Sequence, residues 1–207
     1  FYPVQRVLSN GEVHSLPPLT KQERDFIESE FDPPAIGVYR ALSVPVNFDL
    51  SRILIPDVYS ESTILGGRLA RVDEETMVWT ARFRSEGADE IRLHFTEGNF
   101  PHGVRVNLFN PEGSALFQYQ LRGLIGEYGF YTTTTFSDEV ILQVVIPVEV
   151  IGEPLFFTIP GLTHAENKYL DPLRSCIQDA MCPEANSFTH INNLRLSAAQ
   201  LTFVVGG

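Results

Sequence analysis

Between Thr76 and Pro160 apolar side chains recur at every second position, and this period of two constrains the fold more than any other feature of the chain. Trp79, Ala81 and Phe83 fall on one face of an extended segment, with Thr80, Arg82 and Arg84 on the other. Ile91, Leu93 and Phe95 repeat the pattern against Arg92, His94 and Thr96. Val104, Val106 and Leu108 repeat it again before the turn signal Asn110-Pro111-Glu112-Gly113. Ala115, Phe117 and Tyr119 make a further row, Val140 to Ile146 is a nearly continuous apolar run, and Leu155 to Ile159 closes the series. Successive side chains of a β-strand point to opposite faces, so each such run predicts a strand with one buried face. Short strands broken by Gly, Pro and Asn, with no helices alternating between them, argue against a parallel α/β sheet. The expected fold is mainly β: an antiparallel, jelly-roll-like β-sandwich with one short N-terminal helix and a C-terminal tail.

Upstream of the strands the signals are different. Residues 1–19 hold Pro3, Gly11, Pro17 and Pro18 without periodicity and read as an extended arm. Thr20-Lys21-Gln22-Glu23 is a capping-box pattern, in which the threonine hydroxyl and the glutamate carboxylate each satisfy a free backbone N–H. Phe26, Ile27 and Phe31 follow at helical spacing and Pro33-Pro34 stops the element, which predicts a helix over 21–31. From Ala35 the period becomes two, with Ile36, Val38 and Arg40 and then Val44, Val46 and Phe48 on alternating positions. Residues 57–62 read as a loop, and Thr63 to Val72 as a strand interrupted by Gly66-Gly67. After Gly161 the composition turns polar. The expected organisation is an arm and helix over 1–34, a sandwich over 35–161, a linker over 162–175 and a separate last segment over 176–207.

Charge limits the partners. A net charge of −11 disfavours nucleic acid, whose phosphates demand clustered Lys and Arg, and an anionic membrane surface for the same reason. No stretch approaches the ~18 consecutive apolar residues of a spanning helix. With 43% hydrophobic residues the chain can bury a core.

The candidate sites are few. Cys176 and Cys182 close a local disulfide only if the backbone brings their α-carbons within about 7 Å. Two thiolates fall short of a structural zinc site, and no Cys-x-x-Cys redox motif is present. His94 and His102 flank a loop with Glu97, but no third and fourth ligand stand at a fixed spacing, so no metal or other cofactor is expected. Asp89-Glu90, Asp138-Glu139 and Glu74-Glu75 read as turn acids that keep strand edges soluble rather than as calcium ligands. The run Phe130-Tyr-Thr-Thr-Thr-Thr-Phe136 can form a stacking platform for a sugar, although alternation sends half of it into the core. That platform is the basis of a second reading of the chain, as an independent β-sandwich module binding carbohydrate or protein.

Two sets of residues carry a resemblance. The C-terminal Cys176-Ile-Gln-Asp-Ala-Met-Cys182-Pro-Glu, followed by the strand-like Leu194 to Val205, resembles the opening of the catalytic domain of secreted bacterial trypsin-like serine proteases of the lysyl-endopeptidase type. Trp79-Thr-Ala-Arg-Phe-Arg, Ile91-Arg-Leu-His-Phe-Thr96, the segment Phe100 to Gly113, and Phe136-Ser-Asp-Glu-Val-Ile-Leu are similar, in that order, to the N-terminal domain of the same group. The resemblance covers about residues 76–207. It implies a noncatalytic N-terminal pro or accessory region followed by the first segment of a truncated protease domain. Such a region acts as a folding aid or latency domain, in a secreted zymogen whose parent cleaves after Lys or Arg. The implied partner is the protein's own protease domain. A parent that cleaves after basic residues can release itself at Lys168 or Arg174, which otherwise read as ordinary linker charges. For the cysteines the resemblance adds a bridge from each to the protease domain, beside a local disulfide or free thiols. The family's His and Ser motifs do not occur, and Ser187, Ser197 and Asp179 lie in no comparable context, so no catalytic triad is expected within the chain.

Overall fold

The structure, a computed structural model, describes residues 13–28, 37–126 and 129–166. Its elements in chain order are β1 (Val13–Leu16), α1 (Lys21–Glu28), β2 (Val38–Asp49), β3 (Glu61–Ile64), β4 (Gly67–Arg71), β5 (Thr76–Ser85), β6 (Glu90–Phe95), β7 (Glu97–Phe100), β8 (Arg105–Phe109), β9 (Ala115–Tyr119), β10 (Gly123–Leu124), β11 (Phe130–Tyr131), β12 (Glu139–Pro147) and β13 (Phe156–Ala165). The protein is mainly β, as the alternation predicts.

The strands form two sheets. The first runs β3-β4-β5-β12-β8-β9, entirely antiparallel along that path, and the second runs β10-β7-β13-β6-β11 with β2 also paired to β13. In the second sheet β13 is the axis. β2 lies along one of its edges, while β7 and then β6 share the other. One continuous core lies between the sheets, joining Trp79, Phe83, Val106 and Leu142 of the first to Phe48, Leu93, Phe95 and Phe157 of the second. Phe157 stacks on Phe48 at 4.9 Å between ring centroids, and Trp79 meets both rings nearly edge-on at 5.4 Å. Edge-to-face and offset contacts of this kind are the favourable arrangements of aromatic quadrupoles. Gly67 makes room for the indole, because a β-carbon there would lie 2.4 Å from the Trp79 ring.

The rows read from the sequence fall as expected in most strands. Trp79, Ala81, Phe83, Ile91, Leu93 and Phe95 are fully buried. β12 is buried on both faces because it runs between β5 and β8 in mid-sheet, which explains its nearly unbroken apolar sequence. β3 and β4 form a hairpin whose two loop residues, Leu65 and Gly66, both have positive φ, the requirement of a type I′ turn. The capping box forms reciprocally: the Glu23 amide donates to the Thr20 hydroxyl, and the Thr20 amide donates to the Glu23 carboxylate at 2.7 Å.

Several expectations change or run past the described residues. The arm contributes a strand, since β1 pairs in parallel with the second half of β5, Val13 opposite Arg82 and Leu16 opposite Ser85. The helix is described over Lys21–Glu28 rather than 21–31, residues 29–36 lying outside the described set. In β2 the inward face is Arg40 and Leu42, then Val46 and Phe48. Val44 is 69% exposed because the pairing with β13 steps from Val46 opposite Ile159 to Ala41 opposite Gly161, which leaves residues 42–45 of β2 in a bulge. The linker expected over 162–175 does not begin at 162, because β13 continues to Ala165 with Leu162 and His164 buried; residues 167–175 lie outside the described set. In the expected Ala115-Phe117-Tyr119 row, Phe117 is exposed while Tyr119 packs partly against the core, because β9 is an edge strand.

Phe157 fixes the spacing of the sheets, so Phe157→Ala is expected to cost about 3–5 kcal/mol. Val44→Ala, in the exposed bulge, stays within about 0.5 kcal/mol of wild type. Urea midpoints of the two variants measure the contrast.

Candidate functional site

Two constellations gather chemically active side chains among the described residues, one sealed and one open. The sealed one joins the N-terminal segment to the sandwich. Arg40 points inward from β2, and its guanidinium donates to Glu23 Oε1 at 2.9 Å, the Pro17 carbonyl at 2.6 Å and Ser85 Oγ at 3.0 Å. Ser85 Oγ in turn lies 2.8 Å from Nδ1 of His164. Since Arg40 occupies the serine as a donor, the hydroxyl proton is directed at Nδ1, which makes His164 the neutral Nε2–H tautomer. Its Nε2 stands 3.6 Å from Glu166 Oε1, too far for a hydrogen bond.

A serine, a histidine and an acid in contact invite comparison with a nucleophilic triad. Here the geometry does something else. Ser85 and His164 are both fully buried, and besides its contact with His164 the serine oxygen accepts from the Arg40 guanidinium, so the pair is closed to a substrate. Burial, and then the Arg40 charge, hold the His164 imidazole below its ordinary pKa against the opposing pull of Glu166. Burial raises the Glu23 carboxyl, but hydrogen bonds from Thr20 and Arg40, with the charge of Arg40, bring it below the usual value. The group is a polar tie that anchors the Pro17–Glu23 turn onto β2, β5 and β13.

The open constellation lies on the outer face of the second sheet. Tyr39, Thr163 and Arg92 are direct neighbours on β2, β13 and β6. The next row across is Ala41, Gly161, His94 and Tyr131, the last on β11. Because Gly161 carries no side chain, Tyr39 leans across it: a β-carbon there would lie 2.5 Å from the tyrosine hydroxyl. The Tyr39 ring meets the His94 ring nearly at right angles, with 5.7 Å between centroids and an interplanar angle of 87°. His94 is backed by Tyr131, stacked at 4.2 Å and 7°. The Tyr39 ring and the stacked His94–Tyr131 pair together form a perpendicular corner. Burial, and for Tyr39 also Tyr131, raise both phenol pKa values, so both hydroxyls stay protonated at neutral pH. Arg92 donates from Nε to Thr134 Oγ1 at 2.7 Å, and further along the face the Thr158 hydroxyl lies within hydrogen-bond distance of both Asn47 Oδ1 and Glu97 Oε1.

The remaining candidates can now be placed. Cys176, Cys182, Lys168 and Arg174 lie outside the described residues. His94 is partly buried in its aromatic stack while His102 is exposed, and among the described residues no group of three or more His, Cys, Asp or Glu can hold a metal ion. Asp138 and Glu139 are ion-pair partners of Arg84 and Arg82 across β5 and β12. Glu90 is buried, and desolvation raises its pKa. The aromatic run divides as alternation requires: Phe130 stacks on Phe95 in the core and Tyr131 faces out. The sequence reading missed Tyr39 and Gly161 as partners of Tyr131, because they come from strands distant in the chain. No helix among the described residues is long and apolar enough to cross a membrane. No protein-family model matches the chain, and no curated protein matches it.

Removing Arg40 leaves Ser85 and the Pro17 carbonyl without their donor, so Arg40→Met is expected to cost about 1–3 kcal/mol and to expose the Pro17–Pro18 segment to limited proteolysis. The pH dependence has a definite sign. His164 is held neutral in the fold, so the unfolded chain takes up its proton first, and stability falls as pH drops below the ordinary imidazole value of about 6.5. In His164→Asn this component is absent, and thermal melts between neutral and mildly acidic pH show a flatter profile than wild type.

Proposed function

We propose that this chain carries the noncatalytic N-terminal pro or accessory region of a secreted trypsin-like serine endopeptidase, serving as a folding aid or latency domain for its own protease domain. The supporting observation is the position of β13. It is the central strand of its sheet, and it ends at Ala165 with the core already closed around Phe157, Ile159 and Leu162. The sandwich core among the described residues is built from segments that precede Cys176 and Cys182, and the reading assigns those two cysteines to a different domain. The sealed state of Ser85 and His164 agrees with this reading, since the one Ser–His–acid contact described above presents no nucleophile to solvent.

A sandwich joined to a protease domain through a short segment meets it at high effective concentration, so even a weak contact is occupied. Processing at Lys168 or Arg174 would remove that advantage and release the protease. Cleavage after Lys or Arg is the specificity the reading assigns to the parent enzyme.

The matching trypsin-like protease domain, refolded with and without a saturating amount of this chain, is expected to recover more activity in its presence or to be inhibited by it afterwards. Unchanged refolding together with unchanged activity on a lysyl amide substrate sinks the role. If each cysteine bridges to the protease domain, the chain alone carries two reactive thiols. A thiol count on the unfolded chain without reductant, beside its intact mass, distinguishes this from a Cys176–Cys182 bridge.

A further inference from the structure

We propose that the aromatic corner of Tyr39, His94 and Tyr131 is a binding site for a neutral pyranose unit of a polysaccharide. The site lies on the sandwich itself and is independent of any protease domain. A pyranose presents a flat face of C–H bonds and a rim of hydroxyls, and the corner offers a counterpart to each. Tyr39 is 42% exposed and stands perpendicular to the His94 ring, and Tyr131, stacked on His94, is 38% exposed. Donors and acceptors stand in the adjoining row, where the Thr163 hydroxyl sits between Tyr39 and Arg92. The two phenol hydroxyls add amphipathic tips to apolar rings, the combination that suits aromatic side chains to ligands with one dry face and one wet edge.

Preorganisation supports the same assignment. Tyr39 rests on Gly161, and Tyr131 stacks against His94, so the rings are placed before a ligand arrives and little rotamer freedom is lost on binding. Charge selects among ligands. Exposed aromatic faces attract cations, but Arg92 in the adjoining row repels them. The exposed Glu97, on the same outer face at β7, disfavours an anion. A neutral ligand with an apolar face and many hydroxyls is what remains, and a sugar fits that description.

Affinity electrophoresis of the whole chain in native gels containing xylan, mixed-linkage β-glucan, mannan or hydroxyethylcellulose tests the proposal, with a polysaccharide-free gel as reference. Retardation is expected in at least one gel. Tyr39→Ala is expected to weaken it about tenfold, the value of one good aromatic contact, while Tyr39→Phe retains most of the binding. Arg92→Gln, a change at an exposed position, supplies a second variant should Tyr39→Ala fail to fold by near-ultraviolet circular dichroism, and is expected to weaken retardation about threefold. Phe136→Ala, at another exposed aromatic outside the corner, leaves it unchanged. Absence of retardation in every gel overturns the proposal, as does retardation that survives both Tyr39→Ala and Arg92→Gln.

Discussion

The contact on which the rest of the structure depends is the meeting of Phe157 with Phe48 and Trp79 between the sheets. Phe157 also stacks parallel to Phe100 at 5.8 Å and touches Phe95, so one ring from β13 ties together β2, β6, β7 and, through the indole, β5. Each sheet alone would expose an apolar face to water. Joined over these rings they bury Leu69, Met77, Leu93, Leu108 and Leu142 as well, and the burial of apolar area drives the association. The edges of the sandwich, where this packing thins out, carry the exposed hydrophobics Phe117 and Leu124.

The second constraint is polar. Arg40 stands on the inner row of β2 beside Leu42, Val46 and Phe48, where an isolated buried guanidinium would be strongly unfavourable. It is tolerated because Glu23, Pro17, Pro18 and Ser85 occupy its donors. The consequence is structural: the capping-box helix and the turn before it are held to the strands by hydrogen bonds as well as by the buried Ile27 and Leu19. The same carboxylate that caps the helix at Thr20 also pairs with Arg40, so the local and the tertiary roles of Glu23 are inseparable.

The outer face of the second sheet owes its form to an absence of side chain. At Gly161 the backbone of β13 is bare on the outer side, and Tyr39 fills the space. The bulge in β2, opposite Ile159 and Gly161, shifts the strand so that Tyr39 and Ala41 face outward beside it. A surface that joins residues 39, 94, 131 and 161 cannot be read from any window of the sequence, because strand pairing alone brings them together.

The sequence by itself determined most of the strands and the buried rows of the core. Period-two alternation names the buried faces of β5, β6 and β8, since side-chain direction in a strand is a local property of the backbone. The unbroken apolar run of β12 marks a strand buried on both faces. The capping box at Thr20 and Glu23 is equally local and was fully legible. Tertiary structure decided everything that rests on pairing between distant strands. It turned part of an apparent arm into β1, extended β13 past Gly161 because Leu162 and His164 have partners across the core, and buried a histidine whose polarity suggests a linker. It also assembled Arg40, Ser85 and His164 into a tie, and Tyr39, His94 and Tyr131 into an open corner. The physical reason is the same throughout. Propensity and alternation act between near neighbours, whereas the burial of a polar group, or the exposure of an aromatic one, is set by which strand lies beside it.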